Sequence, residues 1–71
     1  MDFRIYYYEC GSLRKVSHLY HKHKEFAEAK ETAIKLMEAN VSFRKTQFLI
    51  IEYTGPYESK IVDLIQPLPD E

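Results

Sequence analysis

Three histidines within six residues, His18, His21 and His23, are the first side chains whose type and spacing raise a chemical question. Imidazole is the commonest protein metal ligand, and a zinc site needs at least three ligands converging on one point. Neither regular backbone brings these three together. On a strand His21 and His23 share a face and His18 points away, whereas on a helix His18 and His21 are neighbours and His23 turns to the far side. The lone cysteine, Cys10, is a thiol that a nearby histidine could activate, but no orienting carboxylate or oxyanion donor is marked beside it. The acids sit mainly at helical spacing, where they solubilise a helix and pair with Lys30 and Lys35. Metal- or Cys/His-dependent catalysis is therefore the third reading. The sequence implies no cofactor, no metal ligand set and no catalytic residue.

The histidines belong to a larger anomaly. Net charge is −1, yet residues 1–24 carry five Lys/Arg against two acids and residues 25–71 carry five against nine. Residues 14–24 hold all three histidines, four Lys/Arg and no acid. Such a strip gains positive charge between about pH 7 and 6, because free imidazole titrates near 6.5. Lys and Arg neutralise phosphates, aromatic rings stack bases, and tyrosine and arginine are also enriched at protein interfaces. The candidate partner-binding surface is accordingly Arg4, Tyr6, Tyr8, Arg14, Lys15, His18, Tyr20, His21, Lys22, His23 and Lys24. The first functional reading is a small non-enzymatic binding protein, an adaptor or inhibitor acting through protein–protein contacts, with an acidic protein or a second copy as partner. The runner-up is a nucleic-acid-binding module. Against that second reading, the pI of about 6.3 is low for a dedicated nucleic-acid binder and no RNA-recognition signature is present.

The elements that must position these residues follow from periodicity. Residues 3–8 alternate aromatic and β-branched types as a strand, with Phe3, Ile5 and Tyr7 on one side and Arg4, Tyr6 and Tyr8 on the other. A turn over 9–12 returns the chain as a second strand from Leu13 to about Tyr20. Phe26, Ala29, Ala33, Leu36, Met37 and Val41 follow helical spacing, and Asn40 is a plausible stop. Residues 47–53 and 60–65 read as strands joined through Gly55-Pro56. The expected fold is α+β in the order ββαββ: one amphipathic helix packed on one face of a small, mainly antiparallel four-stranded sheet, its other face partly open. The alternative is βαββ, with a longer helix starting near His18 after a Ser17 N-cap.

At 71 residues the chain reads as one domain, 1–71, with residues 67–71 a frayed acidic tail. Such a length does not accommodate a dinucleotide-binding fold or a barrel. The longest apolar run, residues 48–51, is far short of the roughly 20 that span a bilayer, and no export signal opens the chain. A cytoplasmic location with no membrane partner is the expectation. Asn40-Val41-Ser42 has the pattern of a glycosylation acceptor and is read as chance.

Overall fold

The structure is a computed structural model and describes residues 1–68. Its framework is an antiparallel sheet built from β1 (Asp2–Glu9), β2 (Ser12–Lys15), β3 (Lys22–His23), β4 (Phe48–Gly55) and β5 (Glu58–Ile65). The order is β2-β1-β4-β5, and β3 pairs with the same edge of β1 as β2 does. Five strands therefore occupy four positions, the outermost one shared by two short pieces. The α+β fold with a helix on an antiparallel sheet is as the periodicity indicates.

The helix α2 (Phe26–Ala39) is built from good helix formers and buries Ala29, Ala33 and Met37 on one stripe. The two alanines let its backbone lie close to the sheet. Beneath it, Ile5, Phe48 and Ile50 are fully buried, with Phe3, Tyr7, Val62 and Ile65 packed around them. Phe26 meets Phe3 edge-on at 6.0 Å between centroids. At the other end of the sheet Tyr7, Phe43 and Phe48 form an aromatic cluster with centroid separations of 5.0 to 5.5 Å. Lys30 of α2 reaches the buried Oδ2 of Asp63 on β5 at 3.2 Å, an ion pair with no hydrogen bond to that oxygen.

Several boundaries differ from the periodic reading. The second strand stops at Lys15, and residues 16–21 leave the sheet edge through α1 (His18–His21). Ser17 caps this single turn, its Oγ accepting from Leu19 N–H at 3.5 Å. The longer helix from His18 does not form either, because β3 intervenes before α2. At the far end α2 closes at Ala39. Asn40, with φ −128°, ends it and caps α3 (Val41–Arg44) by accepting from Ser42 N–H at 3.1 Å. Val41 therefore falls off the helix stripe and is 82% exposed. Leu68, expected in a loose tail, donates its N–H to the Arg44 carbonyl at 2.8 Å and packs against the core. The remainder of that tail, residues 69–71, lies outside the described residues. Among those described, no helix is long and apolar enough to cross a membrane.

Two substitutions separate core from surface. Ile50→Val removes one methylene from the fully buried layer and costs about 1 kcal/mol, while Val41→Ala stays within about 0.5 kcal/mol of wild type. Denaturant unfolding measures both, and equal effects would contradict the helix boundary at Asn40. The β1–β2 turn offers a third test, since Cys10 (φ 51°) and Gly11 (φ 80°) both take the positive φ of a type I′ hairpin. Cys10→Asn places the favoured residue there and gains roughly 0.5 kcal/mol. An unchanged or lower melting temperature would count against strain at Cys10.

Candidate functional site

Alternation along each strand sorts side chains to the helix-covered face or to the open one. Register fixes the open face as a grid. Tyr8 pairs with Leu13, Tyr6 with Lys15 and with Leu49, and Leu49 with Leu64. Arg4 pairs with Lys22 and with Ile51, and Ile51 with Ile61. Asp2 pairs with Tyr53. Leu49 is fully buried yet lies outside the main core cluster, walled in by its cross-strand neighbours Tyr6 and Leu64.

A polar network runs through the β1–β4 part of this face. The Tyr6 and Tyr53 hydroxyls are hydrogen-bonded at 2.8 Å. The Arg4 guanidinium lies over the Tyr53 ring, 3.9 Å from its centroid, and donates from Nε to Asp2 Oδ1 at 2.9 Å. Burial, reinforced by the Tyr53 bond, pushes the Tyr6 phenol up to about 12. These rings are held by their neighbours. The exposed large hydrophobic side chains around them are Tyr8, Leu13, Ile61 and Leu64, each 40 to 54% accessible.

The basic run does not form one surface. Lys15 and Lys22 stand on the open face at its β2/β3 edge, next to Arg4 and Tyr6. Arg14 pairs with Tyr7 in the ladder, so it points to the helix side, where its Nε lies 3.6 Å from Glu9 Oε1. Tyr20 lines a hollow of about 270 Å³ against Thr32, Lys35, Leu36 and Ala39 of α2, away from Tyr6 and Tyr8. His18 is exposed on α1. His23 pairs with Phe3 toward the helix side, and its Nε2 donates to the Tyr20 carbonyl at 2.9 Å. Lys24 joins Met1, Asp2, Lys22 and His23 around a second hollow of about 290 Å³ at one end of the sheet.

His21 is the residue whose role changes most. It is 6% exposed, sits edge-on to Tyr6 at 5.0 Å and donates from Nδ1 to the Ile5 carbonyl at 3.0 Å. Val16 N–H donates to the same carbonyl at 3.4 Å. The imidazole thus fills the gap in the ladder where the chain leaves the edge of β1 between β2 and β3. It belongs to the interior and not to the solvent-facing strip expected from the sequence. Burial holds its pKa below the ordinary value; the Ile5 bond opposes this, and the nearby Lys15, Arg4 and Lys22 charges reinforce it. Among the described residues no three His, Cys, Asp or Glu side chains gather to hold a metal ion. Cys10 is exposed in the hairpin turn.

Sequence reasoning placed Arg4, Tyr6, Tyr8, Lys15 and Lys22 in a candidate surface, and the structure groups these five on the open face. It missed the aliphatic half: Leu13, Leu49, Ile51, Ile61 and Leu64. A signal existed in β4, where the apolar Leu49 and Ile51 alternate with the core residues Phe48 and Ile50, marking a strand protected on both faces. Compared with models of protein families, with curated proteins and with solved structures, the chain matches none.

The sign of the His21 effect is fixed by its environment. Its folded pKa lies below the unfolded value of about 6.5, so its contribution is complete above that pH. It is lost as pH falls from there through the lower folded value. Between pH 7.5 and 5.5 the wild type should therefore lose more stability than His21→Gln, which keeps a neutral donor for Ile5. Parallel curves from denaturant unfolding at each pH would refute this assignment.

Proposed function

We propose that this chain is a non-enzymatic binding protein, an adaptor or inhibitor, that engages another protein through the open face of its sheet. The observation that supports this best is that Tyr8, Leu13, Ile61 and Leu64, all large, hydrophobic and exposed, stand on the sheet face opposite α2. Large exposed apolar side chains beside charged ones on one sheet face are what a macromolecular contact uses. Tyrosine and arginine at its centre, pre-ordered by the Tyr6–Tyr53 and Arg4–Asp2 bonds, are the residue types that carry most energy in interfaces. Pre-ordering lowers the entropy lost on binding. The exposed thiol of Cys10 suits a reducing, cytoplasmic setting.

Single-stranded nucleic acid is the reading that the cations of the same face favour, through Arg4, Lys15 and Lys22. It is the weaker one. Base stacking needs free ring faces, and the Tyr53 ring is covered by Arg4 while Tyr6 is pinned between its hydroxyl bond and His21. Exposed Leu13, Ile61 and Leu64 offer bases nothing and offer apolar side chains a docking site.

The test compares capture from nuclease-treated lysate by the tagged wild type and by Leu13→Asp/Leu64→Asp, whose circular-dichroism melt is checked first. Both side chains are half exposed, and because Leu64 also covers Leu49, Leu13→Asp alone replaces the double variant if the melt of the latter collapses. Proteins retained by the wild type and lost by the variant are the expected result. Capture that is unaffected by the substitutions, or abolished by nuclease, would overturn the proposal.

A further inference from the structure

The open face is divided. Its β4 and β5 columns carry Leu49, Ile51, Ile61 and Leu64, and its opposite edge carries Lys15 and Lys22 with Arg4 between. The acid of the described grid is Asp2, already held by Arg4 at 2.9 Å. Among the described residues neither Lys15 nor Lys22 has an ion-pair partner. An apolar strip beside a row of uncompensated cations calls for an occupant with an apolar stripe and an acidic flank.

The other side of the sheet shows what shape suits it. There α2, fourteen residues long, lays Ala29, Ala33 and Met37 on Ile5, Phe48 and Ile50. A helix is about 10 Å across with its side chains and adjacent strands are about 4.8 Å apart. Centred over β4, where the Ile51–Ile61 pair lies, a helix extends about 5 Å to each side and its flank lies over β1; the β2/β3 position is about 10 Å from β4, so a glutamate on that flank meets the long side chains of Lys15 and Lys22 as they lean inward. Resting on the reading of this face as protein-binding, we propose that its occupant is an amphipathic helix of a partner protein, apolar toward β4 and β5 and acidic toward Lys15 and Lys22.

A second copy of the chain fits less well. Its acids Glu28, Glu31 and Glu38 lie on α2, whose apolar stripe is already spent on its own sheet. Two open faces stacked with like columns together would set cation against cation, and with the column order reversed would set Lys15 and Lys22 over the apolar Ile61 and Leu64.

The experiment uses the full chain and two synthetic amphipathic peptides of about 18 residues, some 27 Å of helix, the length of an eight-residue strand. Both carry a leucine stripe; one has glutamate flanks and the other lysine flanks. Fluorescence anisotropy should show binding of the glutamate peptide alone, weakened by added salt. Lys15→Glu/Lys22→Glu should reduce that affinity roughly tenfold or more, while Lys35→Glu, far from the face, changes it less than about twofold. Equal binding of both peptides, or indifference to the double reversal in a folded variant, would overturn the proposal. So would binding of neither peptide, in which case the capture comparison with Leu13→Asp/Leu64→Asp still decides whether the face binds proteins. Dimerisation in sedimentation that Leu64→Asp abolishes would assign the face to a second copy, and tighter binding of an oligothymidine would assign it to nucleic acid; either result rejects the helix.

Discussion

A sheet four strands wide has two faces, and the described residues supply one helix long enough to cover one of them. Everything else follows from that inequality. Burial beneath α2 must stabilise the fold almost alone, which is why Ile5, Ala29, Ala33, Met37, Phe48 and Ile50 are completely enclosed. The second face has to remain ordered without a cover. It does so by cross-strand contacts: Leu49 is sealed by its neighbours, and Tyr6, Tyr53, Arg4 and Asp2 hold one another in fixed positions. These contacts order the face without a covering layer.

The edge of β1 shows the same economy. Two short strands share it, and between them the chain departs for six residues. A gap in a ladder normally leaves a carbonyl unsatisfied, at a cost of about 1–3 kcal/mol if buried. Here Val16 and His21 both donate to the Ile5 carbonyl, and the imidazole fills the opening beside Tyr6. His21 is thus a structural donor whose titration is coupled to the closure of the edge, while Lys15 and Lys22 on either side of the departure are brought to the same face.

The major elements were legible because their signals are long. Eight-residue strands and a fourteen-residue helix give several periods of alternation or helical spacing. The four-residue α1 and the two-residue β3 are shorter than any such window, so residues 14–24 read equally as strand or helix and turned out to be both in pieces. The candidate site was half legible. Arg4, Tyr6 and Tyr8 follow from alternation in β1, and Lys15 and Lys22 from the charge anomaly. Ile61 and Leu64 do not, because three positions separate them and strict alternation sends them to opposite faces. A register shift makes Ile50 pair with Asp63 and Ile51 with Ile61, so Val62 is the extra residue and both Ile61 and Leu64 face outward on the open side. Such irregularity is not encoded in any pattern of period two.

That bulge also bears on why an uncovered apolar face and a free edge strand coexist in one small protein. β5 is the longer of the two sheet edges, eight residues, and a flat edge of that length invites pairing with another copy. Register shifts between Ile50 and Ile51 and again between Tyr53 and Gly55 interrupt its ladder with β4, and Lys60 and Asp63 place charges along it. A second strand added at this edge would have to follow the irregularity and accommodate both charges, each already engaged with Glu52 or Lys30. The edge is therefore guarded by shape and charge. The open face has no such irregularity on its β1 and β2 side, and among the described residues Lys15 and Lys22 stand there without an ion-pair partner.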